Sequence, residues 1–149
     1  MSNIIWKIKT FDEFTVPELY SILKARIDVF VIEQNCPYPD LDNYDQKGIH
    51  IWAEEDGQIL AYCRVFDKGI KYDETSLGRV LTTERARGKN LGRQLIKYAV
   101  ETIENRFHTS EIKISAQDYL LRFYSEFGFV DTGKKYLEDD IPHTEMIRK

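Results

Sequence analysis

Arg85, Arg87, Lys89 and Arg93 crowd residues 85–93 together with Gly88 and Gly92. Residues 77–83 before them have strand character, and a long amphipathic pattern begins at Leu91. At a strand-to-helix turn the first helical N–H groups lack intrahelical partners, and the positive end of the helix dipole points at whatever occupies the turn. Glycine lets a ligand approach the backbone closely, and the cations add attraction at the same point. The combination predicts a cradle for a phosphate-bearing ligand. A merely solvated charged turn is the plain alternative, and it leaves the glycines and the helix start without a common reason.

Another chemical feature is the polar, acidic stretch 33–45, with Glu33, Asp40, Asp42 and Asp45 and two prolines, Pro37 and Pro39. It is predicted to be a long loop, and such loops often carry function. Its carboxylates can accept a proton or attract a cation, or they can form a solvated acidic surface. Arg64 and Arg79 fall within strands, where unpaired charge is costly, so each is expected to meet a carboxylate or line a pocket. His50 and His143 can serve as bases or be structural. Cys36 and Cys63 lack CxxC spacing and are expected to be free thiols, with no metal site.

The elements that must position these residues follow from periodicity. Residues 4–9 alternate as a half-buried strand. Thr15-Val16-Pro17-Glu18 reads as a capping box, and Leu19, Leu23, Ile27 and Phe30 continue at helical spacing to about residue 30. Strand-like runs 50–54 and 58–66 flank Glu55-Asp56-Gly57, a strong hairpin signal. The fourth strand, 77–83, feeds the cradle. Leu95, Ile96, Ala99, Val100 and Ile103 form one face of the helix that follows to about residue 106. A fifth strand at 112–116, a short helix at 119–127 closed by Gly128, and a terminal hairpin around Glu138-Asp139-Asp140 complete the pattern. Antiparallel pairing early and helical crossovers later imply a mixed sheet with helices on both faces, an α/β (α+β) fold.

At 149 residues and 42% hydrophobic composition, one domain spanning 1–149 is expected. A net charge of -4 argues against nucleic acid as a partner, which makes the basic cluster a local site. No apolar run approaches the roughly 20 residues of a membrane span, and no basic-then-apolar leader is present. A cytoplasmic protein without membrane contact is expected, as a monomer or homodimer.

With these residues laid out, the chain resembles the GCN5-related N-acetyltransferases (GNAT), in particular their ElaA-type branch of small bacterial enzymes. Three blocks carry the resemblance: Phe30-Val31-Ile32-Glu33-Gln34-Asn35-Cys36-Pro37-Tyr38 with Asp40 and Asp42; Gly78-Arg79-Val80 through Arg87-Gly88-Lys89-Asn90-Leu91-Gly92; and Gln117 with Phe123-Tyr124-Ser125-Glu126-Phe127-Gly128-Phe129. The middle block resembles the family's coenzyme A motif (Arg/Gln-x-x-Gly-x-Gly/Ala), and the last resembles its Tyr-x-x-x-Gly-Phe helix. Asn90 departs from the motif by standing where its first glycine would be, and Asn is the residue after glycine that best tolerates a left-handed backbone.

The resemblance implies a GNAT-like sheet of about six to seven strands, acetyl-CoA as donor, an amine as acceptor, and no metal. The pyrophosphate is expected on the N–H groups of Gly88, Lys89, Asn90, Leu91, Gly92 and Arg93, with Arg87 and Lys89 neutralising it. The pantetheine arm would pair with Val80, Leu81 and Thr82 as an added strand does, an amide near Leu81 or Thr82 would hold the oxyanion, and Gln117 would contact the cofactor. Tyr124 matches the family's general acid. A phenol with pKa near 10 stays protonated at neutral pH and can donate to the departing sulfur. The glutamate that some relatives use as base aligns with Ile112, so that role is not carried over; Glu33 is the catalytic candidate, with Asp40 and Asp42 as alternatives and His50 and His143 as further candidates. Glu33, Gln34, Asp40, Asp42, Arg64, Arg79 and His143 are the expected acceptor contacts. Two other classes fit in part. Arg26-Ile27-Asp28-Val29-Phe30 is similar to a pattern of acyl-homoserine-lactone synthases, and a coenzyme-sensing module without turnover would keep the same cradle.

Overall fold

The computed structural model describes residues 3–149; Met1 and Ser2, which the one-domain expectation includes, lie outside the described residues. Seven strands form one sheet: β1 (Ile5–Thr10), β2 (Ile49–Glu55), β3 (Gln58–Phe66), β4 (Thr75–Thr82), β5 (Ile112–Gln117), β6 (Phe129–Glu138) and β7 (Ile141–Arg148). Their order is β1-β2-β3-β4-β5-β7-β6. Every neighbouring pair is antiparallel except β4 with β5, which are joined through a helix and run parallel. The predicted turns form for the predicted reason. Asp56 and Gly57 both adopt positive φ, 52° and 76°, and close the β2–β3 hairpin with Glu55 opposite Gln58.

Helices cover both faces, as expected. On one face α2 (Leu91–Phe107) lays Leu95, Ile96, Ala99 and Ile103, all fully buried, against Ile51, Leu60, Cys63 and Val65. Burying each larger side chain of that stripe contributes about 1.5–3 kcal/mol. On the other face α1 (Val16–Arg26) covers Trp52, Ile59, Tyr62 and Leu81. Thr15 caps α1 by accepting from the Glu18 N–H at 3.2 Å, while Glu18 accepts from the Thr15 N–H at 2.9 Å.

The buried stripe of α1 differs from the one expected. Ile22, Ala25, Arg26, Val29 and Phe30 face inward, whereas Leu19 and Leu23 are half-buried and Ile27 is exposed. Two causes combine. Arg26 is buried by ion pairing, which hydrophobic periodicity does not register. The helix also widens into π-type turns over Ile27–Glu33, which rotates Val29 and Phe30 inward. The short helix expected over 119–127 is likewise two pieces, a 3₁₀ turn at Asp118–Leu120 and α3 (Leu121–Ser125).

Strands β4 and β5 pair only at Thr75 with Ile112 and Ser76 with Lys113. Beyond Ser76 they separate. The register of β4 against β3 shifts between Tyr62 and Arg64, and opposite that shift Arg79 takes φ 51°. This bulge turns the remainder of β4 away from β5 and opens a cleft in the middle of the sheet.

Candidate functional site

Three cavities follow the opening between β4 and β5. The first lies among β4, the start of α2 and α3, and is lined by Val80, Leu81, Thr82, Gly88, Gly92 and Tyr124 among others. The middle one, about 110 Å³, shares Phe30, Gln34, Val80, Gln117, Leu120 and Tyr124 with the first. The third shares Tyr38, Gly78, Arg79, Ser115, Glu138 and Asp139 with the middle one and adds Asp42, Arg64 and Lys71. Shared wall residues place the three cavities next to one another along the opening.

The predicted cradle forms the entrance of the first cavity. Asn90 stands immediately before α2 at φ 60°, ψ 28°, in the left-handed region where asparagine was expected to substitute for glycine. Gly88 has φ 87°, and a Cβ there would meet nothing within 4 Å. No side chain caps α2, so its first amides remain available to a ligand. Lys89 is a correction to the expected donor set, because its N–H donates to the Ala86 carbonyl at 3.1 Å within the turn.

The four cations of the cradle are each held by a carboxylate. Arg87 donates to Glu33 at 2.5 Å, Arg93 lies 2.8 Å from Glu126, and Arg85 and Lys89 lie 2.9 and 3.8 Å from Glu55. Exposed pairs of this kind contribute about 0–1 kcal/mol, little enough for a phosphate to displace. The same geometry ties Glu33, the expected base, to Arg87. Its carboxylate belongs to the cradle rim and lines neither cavity that Tyr124 borders.

Along β4 the polar groups divide by alternation. The Thr83 N–H donates to Leu60 of β3 at 2.9 Å, and Leu81 sits opposite Tyr62 as the next bonded position, so both point at β3. Thr82 and Val80 therefore turn their N–H and C=O groups toward the cleft, and the Thr82 carbonyl accepts from Arg87 at 3.3 Å. Of the two amides expected to face an oxyanion, Thr82 is placed for it and Leu81 is not.

Tyr124 stands where the first and middle cavities meet. It is 5% exposed, and its hydroxyl makes no hydrogen bond among the described residues. Burial pushes its phenol well above the ordinary value, with the neighbouring Cys63 and Tyr119 adding to the shift, so it is a proton donor at neutral pH. Gln117 donates to Gln34 at 3.4 Å across the same wall. His143 borders the middle cavity from β7. Its Nδ1 lies 2.7 Å from the Ile141 carbonyl, which can only accept, so Nδ1 carries the hydrogen and Nε2 has a lone pair. Glu138 lies 3.4 Å from that Nε2, ready to stabilise an imidazolium.

Similarity to known proteins places this fold in a family. The family profile described as an acetyltransferase (GNAT) domain matches residues 24–149. Protein ElaA of Escherichia coli strain K12 is 36% identical over 148 residues, covering 98% of this chain and 97% of that protein. The chain belongs to the GNAT acetyltransferase family. The crystal structure of an acyl-CoA N-acyltransferase from Pseudomonas aeruginosa superposes with a TM-score of 0.93 at 39% identity, covering 99% of this chain and all of that one. Membership of the GNAT family carries acyl-CoA as donor and an amine as acceptor at the level of the class. A CoA-dependent acyl-homoserine lactone synthase, BjaI, shares the fold at 18% identity and a TM-score of 0.76, covering 99% and 82% of the two chains. At that identity the likeness is one of fold.

The acidic loop differs most from expectation. Asp40 is 3% exposed and accepts from Arg26 Nε at 2.9 Å, Arg79 Nε at 3.0 Å and the Tyr38 hydroxyl at 2.7 Å. Asp42 binds Arg64 at 2.9 Å and Arg79 at 3.4 Å, and Asp45 joins Arg26 at 2.8 Å to Arg64 at 2.7 Å. Arg64 and Arg79 thus meet the carboxylates their strand positions demand. In turn, Asp40 is buried among these cations away from the cavities, whereas Asp42, paired with Arg64 and Arg79, still lines the third cavity. Burial and the carbonyl contact of Asp45 make His50 structural: Nε2 donates to that carbonyl at 2.9 Å, and Nδ1 accepts from the Tyr62 hydroxyl at 2.7 Å. In the sequence Arg26 stands out only through its likeness to a pattern of another class, not as a partner of the acidic loop, although its spacing from the inward Ile22 and Ala25 is a local signal for its burial; Lys71 has no such signal.

Proposed function

We propose that this protein transfers the acetyl group of acetyl-CoA to a primary amine by direct attack within a ternary complex. The observation that carries the reading is Tyr124, a buried, protonated phenol without a hydrogen-bond partner among the described residues, at the wall shared by the coenzyme cavity and the middle cavity. Support for its surroundings comes from the uncapped start of α2, which suits the pyrophosphate, and the cleft-facing edge of β4, which suits the amides of pantetheine.

The chemistry follows from these positions. An amine with pKa near 10 is about one part in a thousand free base at pH 7, so a group must take its proton. His143 Nε2 accepts it, directly or through one water, and Glu138 stabilises the resulting imidazolium. This role replaces the one expected of Glu33. The amine nitrogen bonds to the thioester carbonyl carbon, and the oxyanion formed meets the outward N–H of Thr82 or Val80. The nitrogen of the tetrahedral species gives its second proton to solvent, and as the species collapses the C–S bond breaks, the sulfur takes the Tyr124 proton, and an amide and free CoA leave. Solvent returns the histidine proton to the phenolate. No acyl-enzyme is needed, and both thiols, Cys36 and Cys63, are buried.

Thiol release from acetyl-CoA over a panel of primary amines tests the reading. The expected result is turnover that Tyr124→Phe lowers by about 10²–10⁴-fold, with acetyl-CoA affinity and folding retained because the hydroxyl holds nothing in place. Full activity of that variant would remove the acid assignment. Stabilisation by acetyl-CoA without thiol release would favour a coenzyme-sensing module.

A further inference from the structure

The cavity farthest from the cradle is electrically divided. On its β4 side stand Arg64, Lys71 and Arg79, and on its β6–β7 side stand Glu138 and Asp139. The cationic side is under-neutralised. Arg26, Arg64, Arg79 and Lys71 share three carboxylates, Asp40, Asp42 and Asp45. Lys71 holds the weakest place, with Nζ 3.5 Å from an Asp42 oxygen that Arg64 and Arg79 already share. Its Nζ also lies 4.6 Å from the centre of the Tyr44 ring, so the ammonium is held at the cavity wall and not free in solvent. Burial, followed by the repulsion of Arg64 and then Arg79 against the pull of Asp42, lowers the lysine below its ordinary value. Arg64 Nε, closed off from solvent, has no acceptor among the described residues.

A further charge of the opposite sign would relieve this arrangement, and the surplus over the three aspartates is a single positive charge. That matches a carboxylate better than a dianionic phosphate. The opposite wall, with Glu138 leading to His143 in the middle cavity, suits an ammonium awaiting deprotonation. Resting on the acetyltransfer reading above, we infer that the acceptor is an amino acid, whose amine lies toward His143 and Glu138 and whose carboxylate is bound by Lys71 with Arg79. Lys71 then decides between amino acids and amines without an anionic group. A polyamine, cationic throughout, would place like charge against that wall.

The test is thiol release by the full chain saturated with acetyl-CoA, using L-α-amino acids, their carboxamides and their decarboxylated amines. At least one free acid should exceed its own carboxamide in kcat/KM by about tenfold or more, the effect of one charge-assisted hydrogen bond. Lys71→Met should raise KM for that acid by a similar factor, leave kcat within about twofold, and leave the carboxamide's KM unchanged; Lys71→Arg should restore the preference. Lys71 lies on a polar connection and its side chain is 29% exposed, so both variants should fold. Equal or better turnover of the carboxamides or decarboxylated amines would overturn the inference while leaving acetyltransfer standing. An unaffected Lys71→Met, or no turnover of any free acid, would also overturn it. Failure of every amine, with acetyl-CoA still bound, would instead defeat the acetyltransfer reading beneath it.

Discussion

Gly92→Ala separates what the fold requires at the cradle from what a ligand requires. Residue 92 lies in the first turn of α2, and a Cβ built there would approach Phe123 Cζ at 3.7 Å and Thr82 Cγ2 at 4.0 Å, ordinary contact distances. The chain therefore does not need glycine. Alanine in a helix is favoured over glycine by about 0.5–1 kcal/mol, which for a domain of this length raises Tm by roughly 1–4 °C. Thr82 and Phe123 are both walls of the first cavity, so the same methyl projects between them into the space assigned to pantetheine and pyrophosphate. If it lowers acetyl-CoA affinity tenfold, ligand-induced stabilisation at a concentration near 100 times the parent Kd falls from about 2.7 to about 1.4 kcal/mol. The assay is a pair of thermal melts with and without acetyl-CoA, checked by calorimetric titration. Opposite signs are expected, with a more stable free protein and a weaker complex. An unchanged Kd would refute the placement of the coenzyme, and a destabilised free protein would refute the claim that the backbone tolerates a side chain here.

Three further outcomes follow from the same geometry. Glu33→Gln releases Arg87 from its 2.5 Å contact and should tighten acetyl-CoA binding by up to about fivefold, whereas Arg87→Gln should weaken it; calorimetric titration reads both, and loss of turnover with intact coenzyme binding in Glu33→Gln would restore Glu33 as a base. Burial lowers the His50 pKa to about 4 in the folded chain against 6.5 for the free side chain, so the unfolded chain binds the extra proton between those values. Stability is then complete above about pH 6.5 and declines by up to about 3 kcal/mol as pH falls toward 4. Urea titrations across that range should show the slope, and an equal slope in His50→Gln would assign it elsewhere. Asp45→Asn leaves Arg26 and Arg64 short of a buried counter-charge and should lower stability by about 3–5 kcal/mol by urea unfolding; a loss below about 1 kcal/mol would mean that water enters the network.

The cradle was legible because its signals are local. Gly88, Asn90 and the stripe from Leu95 to Ile103 act within a few residues, and their backbone conformations and burial agree with the pattern. Hairpin turns were legible for the same reason, since Asp56 and Gly57 need no distant partner to prefer positive φ. The ion network was legible only as a demand. Arg64 and Arg79 had to find carboxylates, but the contacts that satisfy them span 39 residues from Arg79 to Asp40 and 22 from Arg64 to Asp42. Nothing local identifies a partner so far away. The surroundings of the candidate bases were illegible on the same ground, because Glu33 meets Arg87, 54 residues later, and only the fold brings His143 to the middle cavity.

The network also explains how β4 holds a conformation its sequence does not favour. Arg79 is not glycine, yet it occupies φ 51°, a region that costs a non-glycine residue of order 1–3 kcal/mol. Asp40 offsets that cost from two sides, its carboxylate accepting from Arg79 Nε and its carbonyl from Arg79 Nη2, each at 3.0 Å. Asp40 in turn is fixed by Arg26 and Tyr38, and Arg26 by Asp45. The bulge is thus anchored to α1 through buried charge. A bulge so anchored keeps β4 parted from β5 without a ligand, and it presents the Val80 and Thr82 amides to the cleft before any substrate arrives. Preorganised donors of this kind need little rearrangement as charge develops on the carbonyl oxygen. Of the two aspartates expected to meet the acceptor, Asp40 therefore sits behind the strand, holding the geometry of the amides that face the cleft, whereas Asp42 lines the third cavity.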